Sequence, residues 1–114
     1  MAVKNSILTI PMISIASSSL NTMTYTALNP AGIPKACFQI KIFNNSDEDV
    51  FVSFDGSTDA DYIIAGANVF IPTIFSAQPN TYVANFSLGT IVYLKGTAGT
   101  GDIYLAGYYQ AQGV

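Results

Sequence analysis

Apolar and polar residues alternate with a period of two along much of this chain. Met23, Tyr25 and Ala27 alternate with Thr22, Thr24 and Thr26, and Ala36, Phe38, Ile40 and Ile42 alternate with Cys37, Gln39, Lys41 and Phe43. Val50, Val52 and Phe54 repeat the pattern. Successive side chains on a strand point to opposite faces, so this period predicts strands with one face on a core. The polar run Asn44 to Asp49, rich in residues that stabilise turns, predicts a hairpin between the second and third of these strands. No long segment repeats apolar residues at helical spacing, which predicts little or no helix.

Upstream, Leu8, Ile10 and Met12 set one phase while Ile13 and Ile15 set the opposite one beyond Pro11. Proline cannot donate to a ladder, so the first strand is expected to lie at an edge and to bend or switch sheets there. The second half carries short apolar runs at Tyr62 to Ile64, Val69 to Ile71, Tyr82 to Phe86, Ile91 to Leu94 and Ile103 to Tyr109. Between them lie Gly66-Ala67-Asn68, Pro72, Gln78-Pro79-Asn80, Gly89 and the loop Gly96 to Gly101, the last read as a hairpin loop. Many short strands at this spacing predict an all-β chain, a single antiparallel β-sandwich of jelly-roll or Ig-like type. Residues 1–114 are expected to form one domain, with 1–16 an N-terminal arm or edge strand that contacts a neighbouring subunit. Ile91-Val92-Tyr93-Leu94 and Val69-Phe70-Ile71 are apolar on both faces, which places them centrally in a core or under another chain.

Composition sharpens this picture. Half of the 114 residues are hydrophobic and only 10% are charged, with no His, Arg or Trp and one Cys. Average chains carry about 25% charged residues, so this one has little ionic surface to keep a monomer soluble. Lys4, Lys35, Lys41 and Lys95 stand against seven carboxylates, a formal net charge of −3. Four scattered lysines cannot neutralise a row of phosphates, so nucleic acid and anionic membranes are not expected partners. Cys37 has no partner for a disulfide and lies in an apolar run, where a buried, unreactive thiol is expected. Lys4 followed by Ile7 to Ala16 loosely imitates a secretory signal, but Thr9, Pro11 and Ser14 interrupt it, and no targeting segment is expected.

The candidate chemistry is sparse. Asp55, Asp59 and Asp61 could offer oxygens to calcium, yet Gly56 directly follows the first Asp and no Glu closes the loop. Turn formation accounts for these residues, so neither a metal nor any cofactor is expected. Seven acids crowded mainly into two turns give no opposed pair for glycoside hydrolysis. Without His, no base stands ready to activate Ser or Cys, and no catalytic residue is assigned. Gly96-Thr97-Ala98-Gly99-Thr100-Gly101 lacks the following Lys and helix of a phosphate loop. Tyrosines combine flat apolar area with a hydroxyl, which makes Tyr108 and Tyr109 candidate contact residues.

The series Val52-Ser53-Phe54-Asp55-Gly56, Asp61-Tyr62-Ile63-Ile64-Ala65-Gly66, Leu88-Gly89-Thr90-Ile91-Val92-Tyr93 and Gly99-Thr100-Gly101-Asp102-Ile103-Tyr104-Leu105 resembles small β-sandwich structural proteins of bacteriophage virions. The resemblance covers about half the chain, mostly through turn signatures. It implies a non-enzymatic virion component: a minor capsid, decoration or cement protein, or a subunit of a neck, ring or spike base. Its partners would be further copies of itself and other virion proteins such as the major capsid protein. Ile7, Leu8, Ile10, Ile13, Tyr108 and Tyr109 are the candidate interface residues, and removal of residues 1–16 is expected to spare a folded core. The alternative is a carbohydrate-binding or adhesin-type module that uses exposed tyrosines.

Overall fold

A computed structural model describes residues 7–72 and 85–110. They form nine β-strands and one 3-10 turn, Ser17–Ser19, with no α-helix among the described residues. The strands are β1 (Ile7–Thr9), β2 (Ile13–Ala16), β3 (Thr26–Ala27), β4 (Gln39–Ser46), β5 (Val50–Ser53), β6 (Asp61–Ile63), β7 (Asn68–Ile71), β8 (Tyr93–Lys95) and β9 (Gly101–Gln110). One sheet runs β1-β9-β4-β7, with β2 also on β9, and the other runs β3-β8-β5-β6; every pairing is antiparallel.

The pairing scheme identifies the type of sandwich. With β1 and β2 taken as two pieces of one strand, the first strand pairs with the last, β3 with β8, β4 with β7, and β5 with β6. The chain is thus one long nested hairpin, rolled up so that β9 also meets β4 and β8 also meets β5. That is a jelly roll, two Greek keys wrapped around one core, and it decides against the Ig-like alternative.

The core holds Ile40 and Ile42 of β4, Val50 and Val52 of β5, and Ile103 and Leu105 of β9, each no more than 1% exposed. These are the inward positions that the period-two pattern predicts, and each such side chain contributes about 1.5–3 kcal/mol by leaving water. Val92 and Leu94 face the core while Ile91 and Tyr93 are half-buried, and β8 lies inside its sheet between β3 and β5.

Pro11 marks a bulge, not a change of sheet. Thr9 stands opposite Tyr108 and Ile13 opposite Leu105, so three residues on the edge strand face two on β9. The extra residue inverts the phase. Ile10 enters the core on one side of the bulge, and Ile13 and Ile15 lean on it from the other. Gly107 makes this entry possible: a Cβ there would stand 2.9 Å from Ile10 Cδ1 and 3.0 Å from Cys37 Sγ.

Three expectations fail, each for a physical reason. The segment Thr22 to Ala27 is strand only at Thr26–Ala27; Asn21 Oδ1 accepts the Met23 and Thr24 amides at 2.9 and 2.8 Å, and this turn leaves Met23 86% exposed. Asn44 to Asp49 is not a hairpin turn, because β4 and β5 lie in different sheets and the strand runs on through Ser46. Gly96 to Gly101 likewise passes from β8 in one sheet to β9 in the other. Of the predicted run Tyr82 to Phe86 only Asn85 and Phe86 are described, Phe86 bridged to Cys37; Tyr82 to Ala84 and the turn Gln78-Pro79-Asn80 lie outside the described residues. The Cys37 bridge also explains a phase error: Cys37 is buried and so are Ile40 and Ile42, so the alternation breaks just before β4.

Four connections cross between the sheets at the same end of the sandwich: 17–25, 47–49, 64–67 and 96–100. Asn44, fully buried at the end of β4, joins two of them. Its Nδ2 donates to the carbonyls of Glu48 at 2.8 Å and Ile63 at 3.1 Å, and its Oδ1 accepts from Ser46 Oγ at 2.5 Å. Its backbone exchanges bonds with Gly66 and Ala67. Asp47 holds the last crossing, accepting the Thr100 amide at 2.8 Å while its own amide donates to the Thr100 carbonyl at 3.1 Å. Ser17 Oγ, from the first crossing, accepts the Gly99 amide at 3.1 Å.

Replacing Asn44 with Ala leaves the buried Ile63 carbonyl without its side-chain donor and removes one of two partners from both the Glu48 carbonyl and the Ser46 hydroxyl, which keep each other at 3.0 Å. Asn44→Ala should cost about 2–4 kcal/mol in urea unfolding, whereas the adjacent, exposed Asn45→Ala should change stability by no more than about 0.5 kcal/mol.

Candidate functional site

The predicted interface residues divide between two sides of the same sheet. Partners across an antiparallel pair share a face, so Ile7 lies with Gln110 and Thr9 with Tyr108 on the outer side, while Leu8 lies with Tyr109 on the inner side near the end of the sandwich. Ile7 is 67% exposed and Leu8 41%. Ile10, by contrast, is 4% exposed and Ile13 is half-buried against the core, so these two hold the fold and are not open to a partner. Residues 7–16 are an edge strand rather than a free arm, and removing residues 1–16 would strip Ile10, Ile13 and Ile15 from the core.

Tyr108 and Tyr109 do not form one contact surface. Tyr109 packs on the core with Lys35 Nζ 5.8 Å from its ring centre, and Tyr108 faces outward, half-buried, between Gln39 and Thr9. Consecutive strand residues point opposite ways, which rules out a two-ring platform there.

The outer side of the β1-β9-β4-β7 sheet is aromatic and poor in charge. Phe43 and Tyr104 stack at 6.3 Å across β4 and β9, and Phe70 on β7 lies under Lys41 at 5.9 Å. At the same edge, Ile7 before the bulge and Met12 within it are 67% and 65% exposed. An edge with exposed apolar residues and open backbone groups is a template for another chain.

The outer side of the second sheet is different. Phe51 on β5 and Tyr62 on β6 pair across the hairpin with ring centres 4.8 Å apart, 38% and 48% exposed. Beside them lies a depression of about 260 Å³ lined by Thr22, Glu48, Asp49, Phe51, Tyr62, Lys95, Gly96 and Thr97. Three crossing segments thus supply its rim and the β5–β6 hairpin its aromatic wall. Asp49 is held from two sides, accepting Tyr62 Oη at 2.6 Å and the Ala65 amide at 2.8 Å. These bonds, the tyrosine hydroxyl first, lower its pKa and keep it an acceptor. Neither Tyr62 nor this depression was singled out by sequence reasoning, because the strand pairing that assembles it joins residues from four separate segments.

Lys95 stands between two aromatic rings. Its ammonium lies 4.7 Å from the Tyr25 ring centre and 5.6 Å from that of Phe51, and pairs with Asp59 at 3.3 Å. Tyr25 Oη also donates to Asp59. Burial, and then this bond to a carboxylate, push the Tyr25 hydroxyl up to about 12.

Asp55 serves the chain itself. Asp55 Oδ1 accepts Ser53 Oγ and the Ser57 and Thr58 amides, each at 2.8 Å, in the turn between β5 and β6, and Gly56 takes the φ of +81° that the turn requires. No group of three or more His, Cys, Asp or Glu side chains is placed to hold a metal among the described residues. Cys37 is fully buried, and burial pushes its thiol up, away from the reactive thiolate. No helix among the described residues is long and apolar enough to cross a membrane. Comparison with protein-family models, curated proteins and solved structures finds no match to this chain.

A raised tyrosine pKa means that folding favours the neutral phenol. The contribution is fully present below pH 10, the ordinary value, and is lost as pH rises through about 12. In a tyrosinate absorbance titration Tyr25 should ionise near 12, and Asp59→Asn should bring it back toward 10.

Proposed function

We propose that this chain is a non-enzymatic structural component of a phage virion, a minor capsid, decoration or cement protein that assembles through the outer side and the β1–β2 edge of its first sheet. The observation that carries the reading is the exposed apolar edge, with Ile7 at 67%, Leu8 at 41% and Met12 at 65%, continuous with an aromatic sheet face. Interfaces of permanent assemblies resemble a core cut in half, and their centres are depleted of charge. A chain with 10% charged residues suits that role. The resemblance of its turn series to virion β-sandwich proteins supports the same reading, and jelly rolls are a common architecture of capsid and lectin domains. The partners are further copies of the chain and other virion proteins such as the major capsid protein.

Point substitutions on outward positions test this better than removal of the edge strand, because they spare the core. Light scattering from micromolar to millimolar concentration should show the wild-type protein self-associating, and purified particles should contain it in stoichiometric amounts. Ile7→Lys combined with Met12→Lys should abolish both while leaving thermal stability unchanged. A wild-type chain that stays monomeric throughout and is missing from particles would overturn the proposal.

A further inference from the structure

The depression on the second sheet lies on the far side of the sandwich from the proposed assembly face, and nothing in the assembly reading uses it. Its lining selects among ligand classes. Glu48 and Asp49 against Lys95 give the lining a formal charge of −1, which disfavours phosphates and other anions. Lys95 already places its ammonium over Phe51, which disfavours a second cation. What remains is a neutral molecule with one apolar face and several hydroxyls.

A sugar ring has that shape: its C–H face lies on an aromatic ring while its hydroxyls bond to carboxylate and hydroxyl groups around it. The half-exposed Tyr62 ring offers the face, Asp49 and Glu48 the acceptors, and the hydroxyls of Thr22 and Thr97 further partners. Asp49 is oriented in advance by Tyr62 and Ala65, so little freedom is lost when a ligand binds. At about 260 Å³ the space falls below the 300–1,000 Å³ of pockets that enclose drug-sized ligands, which suits a single ring at the end or side of a glycan.

We propose that the depression walled by Phe51 and Tyr62, with Asp49 and Glu48 at its rim, is a binding site for a neutral monosaccharide unit of a glycan. Its failure would leave the assembly proposal untouched, since the two rest on opposite sheets.

The test is a two-dimensional NMR titration of the labelled wild-type protein with the methyl glycosides of glucose, galactose, mannose and N-acetylglucosamine, and with sialic acid as the anionic comparison. At least one neutral glycoside should shift Thr22, Asp49, Tyr62 and Thr97 saturably, and sialic acid should not. Tyr62→Ala should weaken that binding by about tenfold or more, the loss of one aromatic wall. Tyr104→Ala, on the opposite sheet, should leave it intact. No saturable shift at these residues with any neutral glycoside, a preference for sialic acid, or equal affinity in a folded Tyr62→Ala protein would overturn the assignment.

Discussion

The rest of the structure depends on how the chain satisfies its backbone where it crosses between sheets. A jelly roll passes from one sheet to the other at nearly every connection, and here four crossings gather at one end of the sandwich. Each exposes amides and carbonyls that no ladder can pair, beside a core where an unpaired polar group costs about 1–3 kcal/mol. Asn44 answers for the crossings after β4 and β6, and Asp47 and Ser17 answer for the one before β9. Asn29 does the same service at the other end, its Nδ2 donating to the Thr90 carbonyl and its Oδ1 accepting the Val92 amide. No buried side-chain N or O lacks a partner among the described residues. Short polar side chains at the strand ends and in the crossings thus fix the topology.

That constraint also builds the depression. Glu48 and Asp49 follow directly from the crossing that Asn44 ties down, and Gly96 and Thr97 open the crossing that Asp47 closes. A rim held by hydrogen bonds to the core loses less freedom on binding than a loose loop would. Strength and site placement therefore come from the same few bonds.

What the sequence disclosed follows from which interactions are local. Strand phase is local, and Ile40, Ile42, Val50, Val52, Ile103 and Leu105 all point inward as their period demands. The bulge at Pro11 was visible as a phase change, though not the fact that both pieces stay on β9. Pairing is not local: the polar run Asn44 to Asp49 has the composition of a hairpin turn, but Asn44 and Ser46 are buried strand residues, and the Asn44 side chain reaches a partner 19 residues away. The same distance hid the site. Tyr62 gains its meaning from Phe51 across a hairpin and from Asp49 at a crossing, whereas the paired tyrosines at 108 and 109, conspicuous in the sequence, are divided between core and surface by the alternation itself. A glycine inside the last strand is a local mark of close approach that went unread: Gly107 is where Ile10 and Cys37 enter.

The few charges of this chain are not spread evenly, and their placement bears on both proposals. Asp47, Glu48, Asp49, Asp55, Asp59, Asp61 and Lys95 all belong to the crossing end or to the second sheet and its turns, while the outer positions of β4, β7 and β9 carry only Lys41 and Asp102. Removing water from a charged group costs several kcal/mol unless a partner replaces it, so the first sheet is the face that another protein can cover at least cost. The second sheet keeps its carboxylates wet and its rings half-exposed, a surface suited to exchanging water hydroxyls for ligand hydroxyls. Segregation of this kind lets a domain with one small core be held on one side and remain free to bind on the other.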